Sequence, residues 1–134
     1  MSTRFVHQSE RREFVKIQTD IPIRYKFLSK VLDLGEDQIF EGTTADLSAG
    51  GCLLHGKVPD LNWIAPLLMG KIHMGINLLL PSVDTPIKAI GRVRWVEAFE
   101  PGNDRLYLGL GFNDIRKESQ DLIMKYLIRA QMTK

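Results

Sequence analysis

A chain of 134 residues, 44% apolar and 25% charged, suffices for one compact domain and falls short of two. Its formal charge of +2 admits an anionic partner but, without long Lys/Arg runs, argues against DNA as that partner. One cysteine, Cys52, excludes an internal disulfide, and no apolar run has the length of a membrane span, so the expectation is a cytoplasmic protein with no membrane insertion.

The opening "MSTRFVHQSERR" carries charges where an export signal has its apolar core, and residues 1–10 read as a flexible arm ahead of a single domain over 11–134. "RREFVK" follows, with Arg11, Arg12 and Lys16 just before the first alternating segment. In "IPIRYKFL" Ile21, Ile23, Tyr25 and Phe27 share one face, which predicts a half-buried strand over about 20–29. "QIFEGTTADLS" predicts a second strand over about 37–48, and "GCLLH" a third over about 51–56. "PDLNWIAPLLMGK" breaks the alternation and reads as a connection with one helical turn, packing Trp63, Ile64 and Leu67 over an open sheet end.

The period of two returns over about 70–80 and about 86–98, a hairpin closed through "PSVDTP", with Ile87, Ala89, Gly91, Val93 and Trp95 expected inward. Lys88, Arg92 and Arg94 then share the outer face, a solvated surface or a phosphate-facing patch that assists the arm. "EPGND" marks a turn, and "RLYLGLGF" alternates over about 105–113. Glycines at 75, 91, 109 and 111 suit strands bent sharply enough to close. The predicted fold class is therefore mainly β, a six-stranded antiparallel barrel. From about 115 to 131 the period shifts to three and four, with Asp114 as expected N-cap, which predicts a helix over the barrel. Met124, Ile128 and Met132 add a second stripe, implying a broadly buried helix or, alternatively, a partner or homodimer surface.

Two stretches carry candidate chemistry. The cations Arg11, Arg12 and Lys16 repel one another unless an anion joins them, and an arginine fork grips phosphate or a guanine edge; alone, the cluster also reads as a solvated arm. In "DLSAGG", Asp46 and Ser48 project from one face of a strand and Gly50 and Gly51 follow at once. The carboxylate can accept from guanine N–H donors and the hydroxyl can bond a phosphate oxygen. Alone, this cluster also reads as a turn in which the side chains cap local amides.

In this order around a six-stranded barrel, the two stretches resemble the PilZ domain family of bacterial cyclic di-GMP receptors. That family is marked by an R-x-x-x-R arm before the first strand and a D/N-x-S-x-x-G signature at the end of the second. Asp46, Ser48 and Gly51 match the second signature, and Arg12 with Lys16 aligns with the first, lysine standing where the family has arginine. "YLGLGF" and the final helix look like the family's closing strand and C-terminal helix, so the resemblance spans residues 9–130.

The resemblance implies a PilZ-like barrel that binds cyclic di-GMP, performs no chemistry on it and needs no cofactor or metal. It implies that Arg12 grips a guanine or phosphate, Lys16 neutralises a phosphate, Asp46 reads guanine donors, Ser48 bonds the ligand and Gly51 leaves it room, with Arg11 as an extra contact. The output would be a new surface presented to a protein effector that regulates motility or biofilm. Lysine cannot make a bidentate contact, and losing one costs about 1–3 kcal/mol. A rival reading is therefore a PilZ-like protein-interaction module that has lost the ligand. His7, His55 and His73 are too scattered for a metal site, no G-x-S-x-G elbow supports hydrolysis, and aromatics at 8% supply few platforms for single-stranded nucleic acid.

Overall fold

The structure, a computed structural model, describes residues 17–98 and 104–132. The expected arm over 1–10, Arg11, Arg12, Lys16 and most of the "EPGND" turn lie outside these residues.

Among the described residues seven strands form one antiparallel sheet: β1 (Ile17–Gln18), β2 (Pro22–Leu28), β3 (Phe40–Ser48), β4 (Gly51–Lys57), β5 (His73–Leu78), β6 (Ile87–Ala98) and β7 (Arg105–Ile115). Pairing runs β3–β2–β5–β6–β7–β4 and then from β4 back to β3, so six strands close a barrel and the two-residue β1 is an addition at one edge. Closure removes the open edges that would otherwise template aggregation. A 3₁₀ turn (Leu61–Trp63) leads into a short helix α1 (Ile64–Leu68), and the chain ends in α2 (Lys117–Met132).

Alternation accounts for the barrel wall. Ile23, Tyr25 and Phe27 point inward from β2, Leu106, Leu108 and Leu110 from β7, and Met74, Ile76 and Leu78 from β5, all buried in one core cluster. The connection after β4 behaves as its sequence implies: Leu67 is fully buried, and Trp63 and Ile64 pack on the core from one end. The Tyr25 hydroxyl donates to the Lys57 carbonyl at 2.7 Å, and burial pushes its pKa up to about 12. Helix α2 covers the barrel with Ile123 and Leu127, both at 0% exposure.

Three expectations are corrected. Strand β7 runs on to Ile115, with Asp114 opposite Ile90, so Asp114 is a strand residue and the helix starts only at Lys117. Helix α2 is not broadly buried: Ile128 and Met132 are exposed, because the inward stripe stops at Ile123 and Leu127 with Met124 beside it. Trp95 is absent from the core. A register shift between Val93 and Trp95 inserts one residue into β6, so Val96 packs against the core instead.

Candidate functional site

Strand β3 holds the "DLS" stretch, and its outer half is bordered on both sides. Asp46 pairs with Leu53 of β4 and Ser48 with Gly51; on the other edge Gln18 pairs with Asp46 and Ile17 with Leu47. Leu47 is fully buried, so Asp46 and Ser48, either side of it and half-buried, share the outer face. The two sequence-predicted residues are thus brought together as their spacing requires.

Thr44, to which the sequence pattern assigns no role, fixes how the chain arrives there. It is buried, its hydroxyl accepts from the Ile21 amide at 3.2 Å, and it also bonds the Thr19 hydroxyl. With Thr19 N–H to the Ala45 carbonyl at 3.0 Å and Thr44 N–H to the Ile21 carbonyl at 2.9 Å, residues 19–21 are pinned against β3. A threonine inside a polar run gives no hint of this in sequence, since the partners lie more than twenty positions away.

The turn after Ser48 is a hydrogen-bonded unit. Ser48 Oγ accepts from the Gly50 amide and donates to the Gly51 carbonyl, both at 3.3 Å. The Gly50 carbonyl accepts from the Phe112 amide at 2.9 Å, and Gln120 of α2 donates to the Ala49 carbonyl at 3.0 Å. A β-carbon on Gly51 would lie 2.1 Å from the Leu110 carbonyl oxygen, so glycine is required there by the approach of β7. Cys52, next in line, is buried, and burial, followed by the Asp46 carboxylate, raises its thiol pKa.

Following the register outward from the motif gives two rows across β3, β4, β7 and β6: Asp46, Leu53, Gly109, Trp95, and Ser48, Gly51, Gly111, Arg92. Three strand spacings make each row about 14 Å wide. A β-carbon at Gly109 would lie 2.3 Å from Trp95 Nε1, so the indole lies over that glycine on the outside of the barrel. At Gly111 it would lie 3.0 Å from Arg94 Nε, so the Arg94 chain crosses that glycine too. One outer face thus carries a carboxylate and a hydroxyl near one edge and an indole and a guanidinium near the other. Arg92 is turned aside: its Nη2 donates to the Leu68 carbonyl at 3.2 Å and its guanidinium packs over Gly70. The expected patch of Lys88, Arg92 and Arg94 is therefore split. Among the described residues no group of three His, Cys, Asp or Glu side chains is placed to hold a metal ion, and no helix is long and apolar enough to cross a membrane.

The architecture is thus a closed six-stranded antiparallel barrel with a C-terminal helix and an outer Asp-x-Ser face. The family model of the PilZ domain matches residues 10–129, and the chain belongs to the PilZ domain family. Solved structures with the same fold include the Bacillus subtilis inhibitor of motility (MotI/DgrA), with a TM-score of 0.67 and 18% identity over 92% of this chain. MrkH, described as a c-di-GMP-dependent transcription regulatory factor, gives a TM-score of 0.61 at 20% identity over 92% of this chain. The K. pneumonia MrkH–c-di-GMP complex gives 0.57 at 20% identity over 95%. This chain spans about half the length of those proteins, covering 52%, 52% and 53% of them. No curated protein sequence matches the chain.

Proposed function

We propose that this chain is a cytoplasmic cyclic di-GMP receptor in which Arg11, Arg12 and Lys16 close over the ligand on the face that carries Asp46, Ser48, Gly50 and Gly51. The observation that carries the reading is the β1–β3 register. Ile17 lies opposite Leu47 and Gln18 opposite Asp46, and Lys16 is the residue bonded to Ile17, so the basic segment continues from the edge of the motif. Family membership and the likeness in fold to MrkH, solved in complex with c-di-GMP, support the choice of ligand.

In this reading the Asp46 carboxylate accepts from guanine N1–H and N2–H, Arg12 forks onto a guanine edge or phosphate, and Lys16 neutralises a phosphate. Arg11 adds a further cationic contact. Gly51 serves the barrel first and leaves room for the ligand second. Trp95 and Arg94 form the opposite wall, an indole face for stacking and a second cation. The receptor binds without catalysing, and its output is the ordered arm offered to a protein effector.

Titration calorimetry tests this. Cyclic di-GMP is expected to bind while GTP and cyclic di-AMP do not, and Arg12→Ala and Asp46→Ala are each expected to weaken binding by about tenfold or more, the loss of one charge-assisted contact. Lys16→Arg is expected to tighten it, since a fork replaces a point charge. Unchanged heats in both alanine variants remove these residues from the site. The rival, an interaction module without ligand, draws on two observations: the Ser48 hydroxyl is already engaged within its own turn, and Gly51 is demanded by packing alone. No heat with any of the three nucleotides establishes that rival.

A further inference from the structure

The turn that follows Ser48 is held by its own serine, by β7 and by the C-terminal helix. On α2, Gln120, Ile123 and Leu127 are spaced i, i+3 and i+7, so they share one face. Ile123 and Leu127 are fully buried on the barrel, which brings Gln120, half-buried at the head of that stripe, against the motif. Its Nε2 donates to the Ala49 carbonyl at 3.0 Å. Ala49 is only 4% exposed, so water has little access to replace that donor.

The Ala49 carbonyl and the Gly50 amide are the two ends of one peptide unit, which is planar and turns as a whole. Gln120 holds the oxygen end, and Ser48 Oγ, 3.3 Å away, accepts from the N–H end. The plane is clamped between a side chain of α2 and the motif's own serine. The next peptide is held as well, the Gly50 carbonyl accepting from the Phe112 amide of β7 at 2.9 Å. What stays adjustable is the Ser48 hydroxyl proton, donated to the Gly51 carbonyl over a long 3.3 Å. Rotation about Cβ–Oγ moves that proton to another acceptor while Oγ keeps its bond from Gly50.

We propose that Gln120 is a positioning residue of the nucleotide face: by fixing the Ala49–Gly50 peptide it sets the Ser48 hydroxyl ready to turn from Gly51 to a phosphate oxygen of the ligand. The inference rests on the reading of the Asp46–Ser48 face as the cyclic di-GMP site. Without Gln120 the Ala49 carbonyl has no donor, and the peptide rotates to find one. That rotation withdraws the Gly50 N–H from Ser48 and releases the serine to other rotamers, so the hydroxyl must be ordered again at each binding event. The same clamp couples nucleotide binding to the seating of α2, since both act on one peptide plane.

Titration calorimetry with cyclic di-GMP on the full chain, on Gln120→Met, on Ser48→Ala and on the double variant tests this. Methionine keeps the length of the side chain and deletes the donor. Expected for Gln120→Met is binding about fivefold weaker, the equivalent of one hydrogen bond, at a temperature where its melt shows the chain fully folded. Because Gln120 acts through Ser48, adding Gln120→Met to Ser48→Ala should change the affinity by less than about twofold. In the free ¹⁵N-labelled chain the Gly50 amide should exchange faster in Gln120→Met than in the wild type, with the amides of β5 unaltered. Wild-type affinity in Gln120→Met, losses that multiply in the double variant, or an unchanged Gly50 amide overturn the proposal. A Gln120→Met chain no longer folded at the titration temperature overturns it in favour of a purely structural glutamine. Absence of heat with the wild type removes the nucleotide reading itself, and the proposal with it.

Discussion

Two glycines on the outer face separate the demands of folding from those of the site. Gly51 faces the Leu110 carbonyl oxygen, a backbone atom fixed by the β4–β7 ladder, whereas Gly109 faces the Trp95 ring, which can rotate. Gly51→Ala should therefore destabilise the barrel by about 2 kcal/mol or more, because a methyl group forced onto a fixed carbonyl moves strands. Gly109→Ala should cost less than Gly51→Ala and should change the Trp95 fluorescence, since lifting the indole moves it into water. Chemical denaturation with fluorescence detection compares the two. Equal destabilisation with unchanged emission contradicts this account of the outer face. Gly51, the last position of the signature, is thus conspicuous in the sequence for a ligand and needed in the structure for a strand.

At the scale of elements, β1 is short and has one purchase, β3, with Thr44 as the polar anchor behind it. Replacing Thr44 by Val keeps the shape, deletes the hydroxyl and leaves the buried Ile21 amide without its acceptor, at a cost of about 1–3 kcal/mol. Local opening should then concentrate at residues 17–21, so hydrogen exchange there should accelerate more than in β5 or β7. Uniform acceleration across the sheet would show that Thr44 supports the whole barrel and not the entry of the arm. Most strands and the helix were legible because one face of each is buried and the period of two or 3.6 survives in the residues. The exceptions have local causes. The shift after Val93 reverses the inside–outside order, and no residue in "GRVRWVEA" announces it, since Trp95 and Val96 are equally apolar. Asp114 reads as a cap because aspartate favours that position, but β7 pairs on with β6 to Ile115 and tertiary pairing overrides local preference. Of the site, the Asp46–Ser48 pair followed from strand geometry, while Trp95, Arg94 and Thr44 depend on register between strands distant in sequence.

For the whole molecule, the proposed receptor divides its work between the barrel and the basic segment. Among the described residues the buried cluster runs from Ile21 to Leu127, so the barrel and α2 between them supply a continuous core. A chain beginning at Ile17 should therefore keep the thermal midpoint of the full chain to within a few degrees. The full chain, at a nucleotide concentration a hundredfold above its dissociation constant, should gain about 2.7 kcal/mol of apparent stability, a rise on the order of 10 °C in midpoint for a domain of this size. The truncated chain should lose most of that rise, because the Asp46 face alone meets two phosphates with no partner from Arg11, Arg12 or Lys16. Thermal melts of both chains with and without cyclic di-GMP separate the outcomes. An equal rise in both means that the barrel face binds unaided and the arm is dispensable, and a collapse of the truncated chain without ligand means that the arm is part of the fold. Retained stability with a lost response is the signature of a folded scaffold that binds through a tethered cationic clasp.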